Sequence, residues 1–502
     1  MFIGIMRRLS FLGWLRYWLF ERYYSMALRV ILIGVCFVLT VLSALLSRDI
    51  DLKSFPSIVK AVIPIALLLV LIASIYVYNN MQTTALAIFM LSTLVNAGIS
   101  TGTGTSLSFT LLSLLLWTFV WLFRRLIVER NFDIRPASAN WPILLFVVVV
   151  MFSYVWSGAF VELRASYLFG QKSLVRLMTS LVLIISPVTL VLFANAFQSK
   201  NAFKTFMWWF IVIGLVMGPL RIVLGKVPAP LNARGQFPTW FIAFAFAQVL
   251  FNGKMRWYVK LVLLGGIAIW AQITLGLGLG WLSGWLPVVL VLSLLLVLYS
   301  RKLAVLFFLC IVVWGVFNTY FLNKTFGAEQ SESGKTRSIA WSRALGVVGK
   351  HFLFGAGPAG YEYYFHAYGY YDSGVGTADL SHNNYIDIIA QTGVVGFTLW
   401  ILLWAGQGWM IWKLFRKRID DPFFSALRYS LVVCYPAILL SMMLGDWVTP
   451  FPYTQTLAGI DYTIWAWMIS GVSIALYYFT PDTQENGVTE AVSTPQVLPD
   501  AI

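Results

Sequence analysis

The chain has 502 residues, of which 60% are hydrophobic and only 11% are charged. A soluble chain carries roughly 25% charged residues, so this composition excludes an ordinary water-soluble enzyme. The formal net charge of +15 would suit nucleic acid in a soluble protein. In so apolar a chain it is typical of basic loops held at an anionic membrane surface, and we expect no nucleic-acid partner.

Residues 1–26 predict a cytoplasmic amphipathic segment that lies on the membrane. The segment mixes four arginines with tryptophan and phenylalanine, a pattern of interfacial helices, and it lacks the pattern of a cleavable signal peptide. The basic and indole side chains are Arg7, Arg8, Arg16, Arg22, Trp14 and Trp18.

Residues 27–478 are predicted to form one all-α, polytopic transmembrane bundle. Apolar runs near the length needed to cross a hydrocarbon core recur throughout, and backbone groups in lipid must be satisfied within a helix. The runs are continuous and do not alternate with polar residues, which disfavours a β-barrel. Fourteen spans are predicted, at 27–47, 58–78, 84–100, 106–123, 141–160, 175–197, 203–225, 238–252, 257–273, 279–299, 302–320, 385–412, 424–445 and 460–478.

The distribution of basic residues predicts the orientation of these spans. With the N-terminus inside and strict alternation, the inner side receives 21 of the 35 Lys and Arg residues and the outer side receives 14. Five of those 14 lie in one long loop, which the positive-inside rule discounts, so the short segments divide 21 to 9. Residues 321–384 therefore form a large external loop, and both termini are cytoplasmic.

The C-terminal tail and the cysteines are less informative about function. The tail 479–502 is rich in Thr, Pro, Asp and Glu and is predicted to be cytoplasmic and disordered. Cys36, Cys310 and Cys434 lie in separate apolar runs, which favours membrane packing over a disulfide or a zinc cluster.

The external loop carries the chain's three histidines, His351, His366 and His382. We expect Ser381 to cap the helix that follows, which would place His382 in its first turn at the membrane surface. Gly393 follows His382 by eleven positions, about three helical turns, so the two would share a face with Gly396. The two glycines would let a neighbouring helix approach closely.

A helix N-terminus with a histidine suits anion chemistry. Its free N–H groups and partial positive charge attract a group such as a diphosphate, and the histidine can act as an acid or base. An inert, hydrogen-bonded histidine at the interface is the alternative, and the residues alone leave both open.

Two further segments with basic residues are predicted to lie on the external side of the membrane. The segment 336–348 has apolar residues at helical spacing and is predicted to lie on the outer membrane surface, where Arg337 would be available to phosphate oxygens. A solvated helix face is the plain alternative. Arg234, with Arg221 and Lys226 nearby in sequence, would add to a cationic pocket, or would simply snorkel to the interface.

These motifs resemble the O-antigen ligase and polymerase superfamily. The run His382-Asn383, nine residues and then Gly393-x-x-Gly396 resembles the family signature at the end of its major periplasmic loop. Arg337 four residues before Trp341, followed by Gly355-x-Gly357, is similar to the family's second loop pattern. Arg234 is similar in placement to a family arginine. The resemblance covers about 220–410.

The resemblance implies a bundle of about 12–14 spans of the GT-C type in the bacterial inner membrane, with the large loop in the periplasm. It implies a glycosyltransferase that passes a polyisoprenyl-diphosphate-linked glycan to an acceptor, either lipid A core or a growing glycan, with no metal and no cofactor. The catalytic residues would be His382, Arg337 and Arg234. Those that bind substrate would be Asn383, Arg221, Trp341, Gly355, Gly357, Gly393 and Gly396.

Two other classes of function stay open at this stage. A lipid-linked glycan or small-solute transporter usually has broken helices and charges near mid-membrane, whereas Asp387, Asp446 and Asp461 fall near the outer ends of predicted spans. A metal-dependent enzyme would use the three histidines with Asp379, although their spacing matches no zinc pattern.

Overall fold

The computed structural model describes residues 73–95, 98–100, 106–131, 133–171, 173–225, 236–274, 282–319, 323, 334–370, 381–452 and 456–480. Nearly all of this chain is helical, which confirms the all-α class. The helices are α1 Met81–Leu94, α2 Phe109–Phe123, α3 Asn140–Ala159, α4 Leu163–Gln171, α5 Ser173–Ala196, α6 Lys200–Leu224, α7 Phe237–Phe251, α8 Trp257–Gln272, α9 Leu282–Tyr299, α10 Arg301–Phe317, α11 Gly334–Lys350, α12 Tyr361–Ala367, α13 Asn384–Arg416, α14 Pro422–Leu444 and α15 Ile460–Phe479.

The chain forms a multi-pass membrane protein. Among the described residues, eight helices are long and apolar enough to cross a bilayer: Phe109–Val128, Asn140–Ala159, Ser173–Ala196, Lys200–Leu224, Leu282–Tyr299, Asn384–Arg416, Pro422–Leu444 and Leu457–Phe479. Three shorter helices, α1, α7 and α8, are also apolar. The predicted segments 1–26, 27–47 and 479–502 lie almost wholly outside the described residues, as does most of 58–78.

Two predicted span boundaries were wrong because a short hairpin lies between α1 and α2. Strands β1 Gly98–Ser100 and β2 Ser106–Ser108 pair antiparallel, with Gly98 opposite Ser108. A Cβ atom at Gly98 would lie 2.5 Å from the carbonyl oxygen of Leu107, so this pairing requires glycine. The Gly-, Ser- and Thr-rich sequence therefore leaves the helix at Leu94, earlier than hydropathy suggests.

The described chain divides into two compact units. The first contains the described residues up to Ile88 together with Leu112–Arg135, and the second contains Phe89–Leu111 and the described residues from Pro136 onward. Every helix that the candidate site uses belongs to the second unit.

Helix α15 is the buried centre of the second unit. Nearly all of its residues from Ile460 to Leu476 are buried. A Cβ atom at Gly471 would lie 2.5 Å from the carbonyl oxygen of Leu190, so α15 and α5 pack with their backbones close together, as small residues permit in membrane bundles.

Helix α13 is the longest helix among the described residues. It has 33 residues, about 50 Å at 1.5 Å per residue, which exceeds a hydrocarbon core of roughly 30 Å. It breaks at Gly393, whose φ of 67° and ψ of −170° are not helical. The first nine residues therefore form a short separate segment, and the long part ends in the basic residues Lys413 and Arg416.

Candidate functional site

The turn before α13 presents His382, but it does so differently from the sequence prediction. Asn383 is the N-cap, and its side-chain oxygen accepts from the N–H groups of Tyr385 at 2.9 Å and Ile386 at 3.4 Å. His382 precedes the helix with a left-handed φ of 47°. The prediction of Ser381 as the cap, with His382 in the first turn, was wrong.

Ser381 fails to cap α13 because its hydroxyl is used by Asp387. Ser381 Oγ donates to Asp387 Oδ1 at 2.6 Å and accepts from the N–H of Asn383 at 3.1 Å. Ser and Asn are equally good N-caps, so the sequence Ser-His-Asn-Asn does not decide between them. The hydrogen bond from Ser381 to Asp387, in the first turn of α13, decides between them.

The turn buries its neighbours and exposes the imidazole. Ser381, Asn383 and Asn384 are buried, whereas the His382 side chain is 49% exposed. The buried neighbours hold the turn in place, and the half-exposed ring stays open to a substrate.

Asp387 anchors the turn from inside the protein. Its Oδ1 atom accepts from Tyr361 Oη at 2.7 Å as well as from Ser381. Burial, together with the nearby carboxylate of Asp387, raises the pKa of Tyr361 well above its usual value, so Tyr361 stays a protonated donor. Tyr361 in turn stacks on Phe451, with 5.0 Å between ring centroids.

Asn384 fastens the segment that follows α14 to the same turn. Its Nδ2 donates to the carbonyl of Thr449 at 2.7 Å, and its Oδ1 accepts from the N–H groups of Val448 at 3.1 Å and Thr449 at 3.3 Å. This clamp brings the buried Asp446 to His382, where Asp446 Oδ2 lies 3.8 Å from His382 Nδ1.

The glycines of the two loop motifs meet each other through backbone hydrogen bonds. The N–H groups of Ala356 and Gly357 donate to the carbonyls of Ala390 and Gln391 at 2.9 and 3.0 Å. The N–H of Val394 donates to the carbonyl of Phe352 at 2.9 Å. The Gly355-x-Gly357 segment thus docks directly on the break in α13.

Close approach explains why these positions are glycine. A Cβ atom at Gly393 would lie 2.3 Å from the carbonyl oxygen of Leu353, and one at Gly355 would lie 2.6 Å from that of Gln391. Both have left-handed φ angles, 67° and 71°. At Gly396 the atoms nearest to an added Cβ belong to Thr392 of the same helix.

The predicted role of Gly393 and Gly396 in admitting a neighbouring helix was therefore wrong. A loop backbone approaches Gly393, and the helix itself crowds Gly396. The argument that His382 shares a helical face with the glycines was also wrong, because His382 precedes α13 and Gly393 interrupts it.

Helix α11, which confirms the helix predicted at 336–348, joins the site through Trp341. The indole Nε1 donates to the carbonyl of Ser381 at 2.6 Å. Arg337 lies one turn earlier on the same face of α11, because residues four apart on a helix are neighbours. The structure thus brings the Arg337–Trp341 face to the turn that carries His382.

The other predicted cations are placed less directly. Arg221 lies in the last turn of α6, before the left-handed C-cap Gly225. Arg234 and Lys226 lie outside the described residues. The cationic pocket that these three residues would form with Arg337 stays a prediction.

Arg176 is a buried cation that the sequence analysis missed. Its Nη2 donates to Ser157 Oγ at 2.6 Å and to the carbonyl of Tyr154 at 3.2 Å. A Cβ atom at Gly357 would lie 3.3 Å from the same nitrogen, so Arg176 lies beneath the glycine segment. An arginine within an apolar run is costly in a membrane, and that cost was the available signal.

His351 belongs to a separate cluster on α11, α12 and the start of α4. Its Nε2 lies 3.6 Å from Glu162 Oε1, which also accepts from Tyr368 Oη at 2.5 Å. Burial lowers the pKa of His351, and the Glu162 carboxylate opposes that shift. Within the described ranges no group of three His, Cys, Asp or Glu residues could hold a metal; Asp379 and the His366 side chain fall outside them.

A comparison with known families gives a match over part of the chain. Residues 267–401 match the family model described as O-antigen ligase. This part of the chain is similar to the O-antigen ligase family. The matched region contains α11, the glycine segment, the His382 turn and the break in α13, whereas Arg221 and Arg234 precede it. A search of curated proteins finds no match for the chain.

Proposed function

We propose that this protein is a glycosyltransferase that passes a polyisoprenyl-diphosphate-linked glycan to an acceptor sugar at the outer leaflet of the bacterial inner membrane. The observation that carries the proposal is His382, half-exposed on a buried turn within the O-antigen ligase region. The acceptor is either a lipid A core sugar or a growing glycan chain.

The side chains suit the two halves of this reaction. The acceptor hydroxyl needs a base, and His382 is open to it. The departing diphosphate needs positive charge, which Arg337 offers from α11, with Arg234 and Arg221 as further candidates. We assign Asn383 and the glycines a shaping role, because their contacts hold the turn and the break in α13.

The charges of the second unit support the proposed orientation. His382 and the basic residues Lys413 and Arg416 lie at opposite ends of α13. Near the basic end, Lys200 at the start of α6 pairs with Asp421, the N-cap of α14, at 2.6 Å. These charges support a cytoplasmic basic end, and with it a periplasmic side for the His382 turn and its loop.

The positions of the acidic residues favour surface chemistry over transport. Asp387 and Asp461 lie in the first turns of α13 and α15, and Asp446 follows the last residue of α14. Transporters place such groups near the bilayer midplane. Substrate uptake into vesicles without bond formation would reverse this preference.

Deletion of the gene, followed by analysis of surface and lipid-linked glycan, tests the proposed function. Loss of a ligase leaves long polymerised glycan on its lipid carrier, whereas loss of a polymerase leaves single repeats, some still transferred. Re-expression of the wild-type chain should restore the glycan in either case. An unchanged glycan profile in the deletion strain would contradict both versions.

Replacement of Trp341 with phenylalanine tests whether the indole N–H holds the His382 turn. The variant keeps an aromatic ring but loses the hydrogen bond from Nε1 to the carbonyl of Ser381. Such a bond contributes about 1 kcal/mol, so we expect the transfer rate to fall about fivefold to tenfold. Trp409→Phe, at an exposed position in the long part of α13, is the matched control. A full rate in Trp341→Phe would mean that the indole N–H does not hold the turn.

A further inference from the structure

Asp446 is aimed at His382 by a dedicated set of contacts. The backbone of 448–449 is clamped by Asn384, and Trp467 Nε1 donates to the carbonyl of Val448 at 2.8 Å. Asp446 is buried, with only 1% of its side chain exposed, yet its Oδ2 atom faces the half-exposed imidazole at 3.8 Å. Burying a carboxylate is costly, so its placement beside a single imidazole calls for a reason.

We propose that Asp446 is a positioning residue for His382, holding the proton of the neutral imidazole on Nδ1 and leaving Nε2 free to take the proton of the acceptor hydroxyl. This inference rests on the proposed function. At 3.8 Å the two atoms are neighbours but are too far apart for a hydrogen bond in this structure. Catalytic contacts commonly tighten when substrate binds.

Asp387, the carboxyl next to Asp446, is engaged by other groups. The Asp387 carboxyl lies within hydrogen-bonding reach of Asp446, but its Oδ1 is already occupied by Tyr361 and Ser381. Arg337 on α11 is the cation on the neighbouring face. Asp446 is the carboxyl of this pair that faces His382.

The proton transfer balances with the groups named. The acceptor O–H bond breaks, and its proton binds Nε2 of His382, while the oxygen attacks the anomeric carbon of the donor glycan. The bond from that carbon to the diphosphate breaks, and the polyisoprenyl diphosphate departs with the electron pair. Asp446 stabilises the imidazolium until its proton passes to water.

Histidine labelled with ¹⁵N tests this directly, because the chain has only three histidines. His382→Gln assigns the His382 signals. In the wild-type protein we expect the neutral ring to carry its proton on Nδ1. In Asp446→Asn, whose amide can donate to Nδ1, we expect the proton to move to Nε2. Asp461→Asn is the matched control, since Asp461 is also buried but near Ser108 and Thr110.

A rate measurement completes the test, with the lipid-linked glycan that accumulates in the deletion strain as donor. Asp446→Asn should lower kcat about 100-fold or more with little change in KM, and Asp446→Glu, which keeps a carboxylate, should recover much of the loss and keep the Nδ1 proton. An unchanged tautomer in Asp446→Asn, or a changed tautomer with a full rate, would overturn the proposal. If Asp446→Asn does not fold, a lost Nδ1 proton in Asp446→Glu would overturn it equally.

The ¹⁵N measurement and the rate measurement test the inference and the proposed function separately. The ¹⁵N signals require no substrate, so they report the contact of Asp446 with His382 whatever reaction the protein performs. A wild-type protein with the expected tautomer and no transfer of the accumulated glycan would refute the proposed function and leave the contact established.

Discussion

Replacement of His382 with alanine is expected to abolish glycan transfer while the protein still reaches the membrane. Loss of a general base lowers a rate by about 10²–10⁴-fold, which in cells amounts to loss of surface glycan. The fold should tolerate the change, because the side chain is half-exposed and the turn is held by Ser381, Asn383 and Asn384. Surface glycan and the amount of protein in membrane fractions are the measurements.

The chain offers a matched histidine for this experiment. His351 lies in the same predicted loop but contacts Glu162 and Tyr364 instead of the His382 turn. His351→Gln should leave surface glycan close to the wild-type amount. Glycan that persists in His382→Ala would remove His382 from the reaction, whereas equal loss in both variants would indicate a general defect of the loop.

The helical architecture was predictable because lipid imposes it. Apolar runs must become helices whatever their neighbours, so the class and most span positions followed from hydropathy. The exceptions were governed by small residues. Gly98 permits a hairpin where the apolar run appeared to continue, and Gly393 permits a break within a span that hydropathy shows as continuous.

The candidate site was predictable in its members but not in its geometry. Histidine, arginine and glycine motifs identified His382, Arg337, Gly355 and Gly393, yet their local roles depend on partners far away in sequence. The Ser381 hydroxyl donates to Asp387 instead of capping α13, and Gly393 accommodates the backbone of Leu353. Sequence periodicity describes one helix at a time and contains no information on such contacts.

The positions of Asp446 and Arg176 depend even more on contacts between residues that are far apart in sequence. Asp446 is 64 positions from His382 in sequence, and only the clamp between Asn384 and the 448–449 backbone brings the two together. Arg176 lies within an apolar run and meets the glycine segment from beneath. Both could have been found by asking which buried charges need a partner, because an unpaired charge in lipid is costly.

Replacement of Gly393 with alanine should detach the predicted loop from the bundle. The φ and ψ of 67° and −170° belong to a region that only glycine adopts readily, at a cost of about 1–3 kcal/mol for other residues. The added Cβ would also lie 2.3 Å from the carbonyl oxygen of Leu353, and no flexible side chain is available to move. We expect a total loss of at least about 3 kcal/mol.

The loss should appear first in the loop, because Gly393 is where the loop is fastened. The bonds from Val394 to Phe352 and from Gly357 to Gln391 cross this point, so their disruption frees the segment between α11 and α13. Limited proteolysis of the purified protein should therefore cut Gly393→Ala within 351–383 far faster than wild type. Gly349→Ala, with nothing within 4 Å of the added methyl, should be cut at the wild-type rate. Equal cleavage of wild type and Gly393→Ala would show that the glycine segment does not depend on the break, and the His382 turn would then need another source of rigidity.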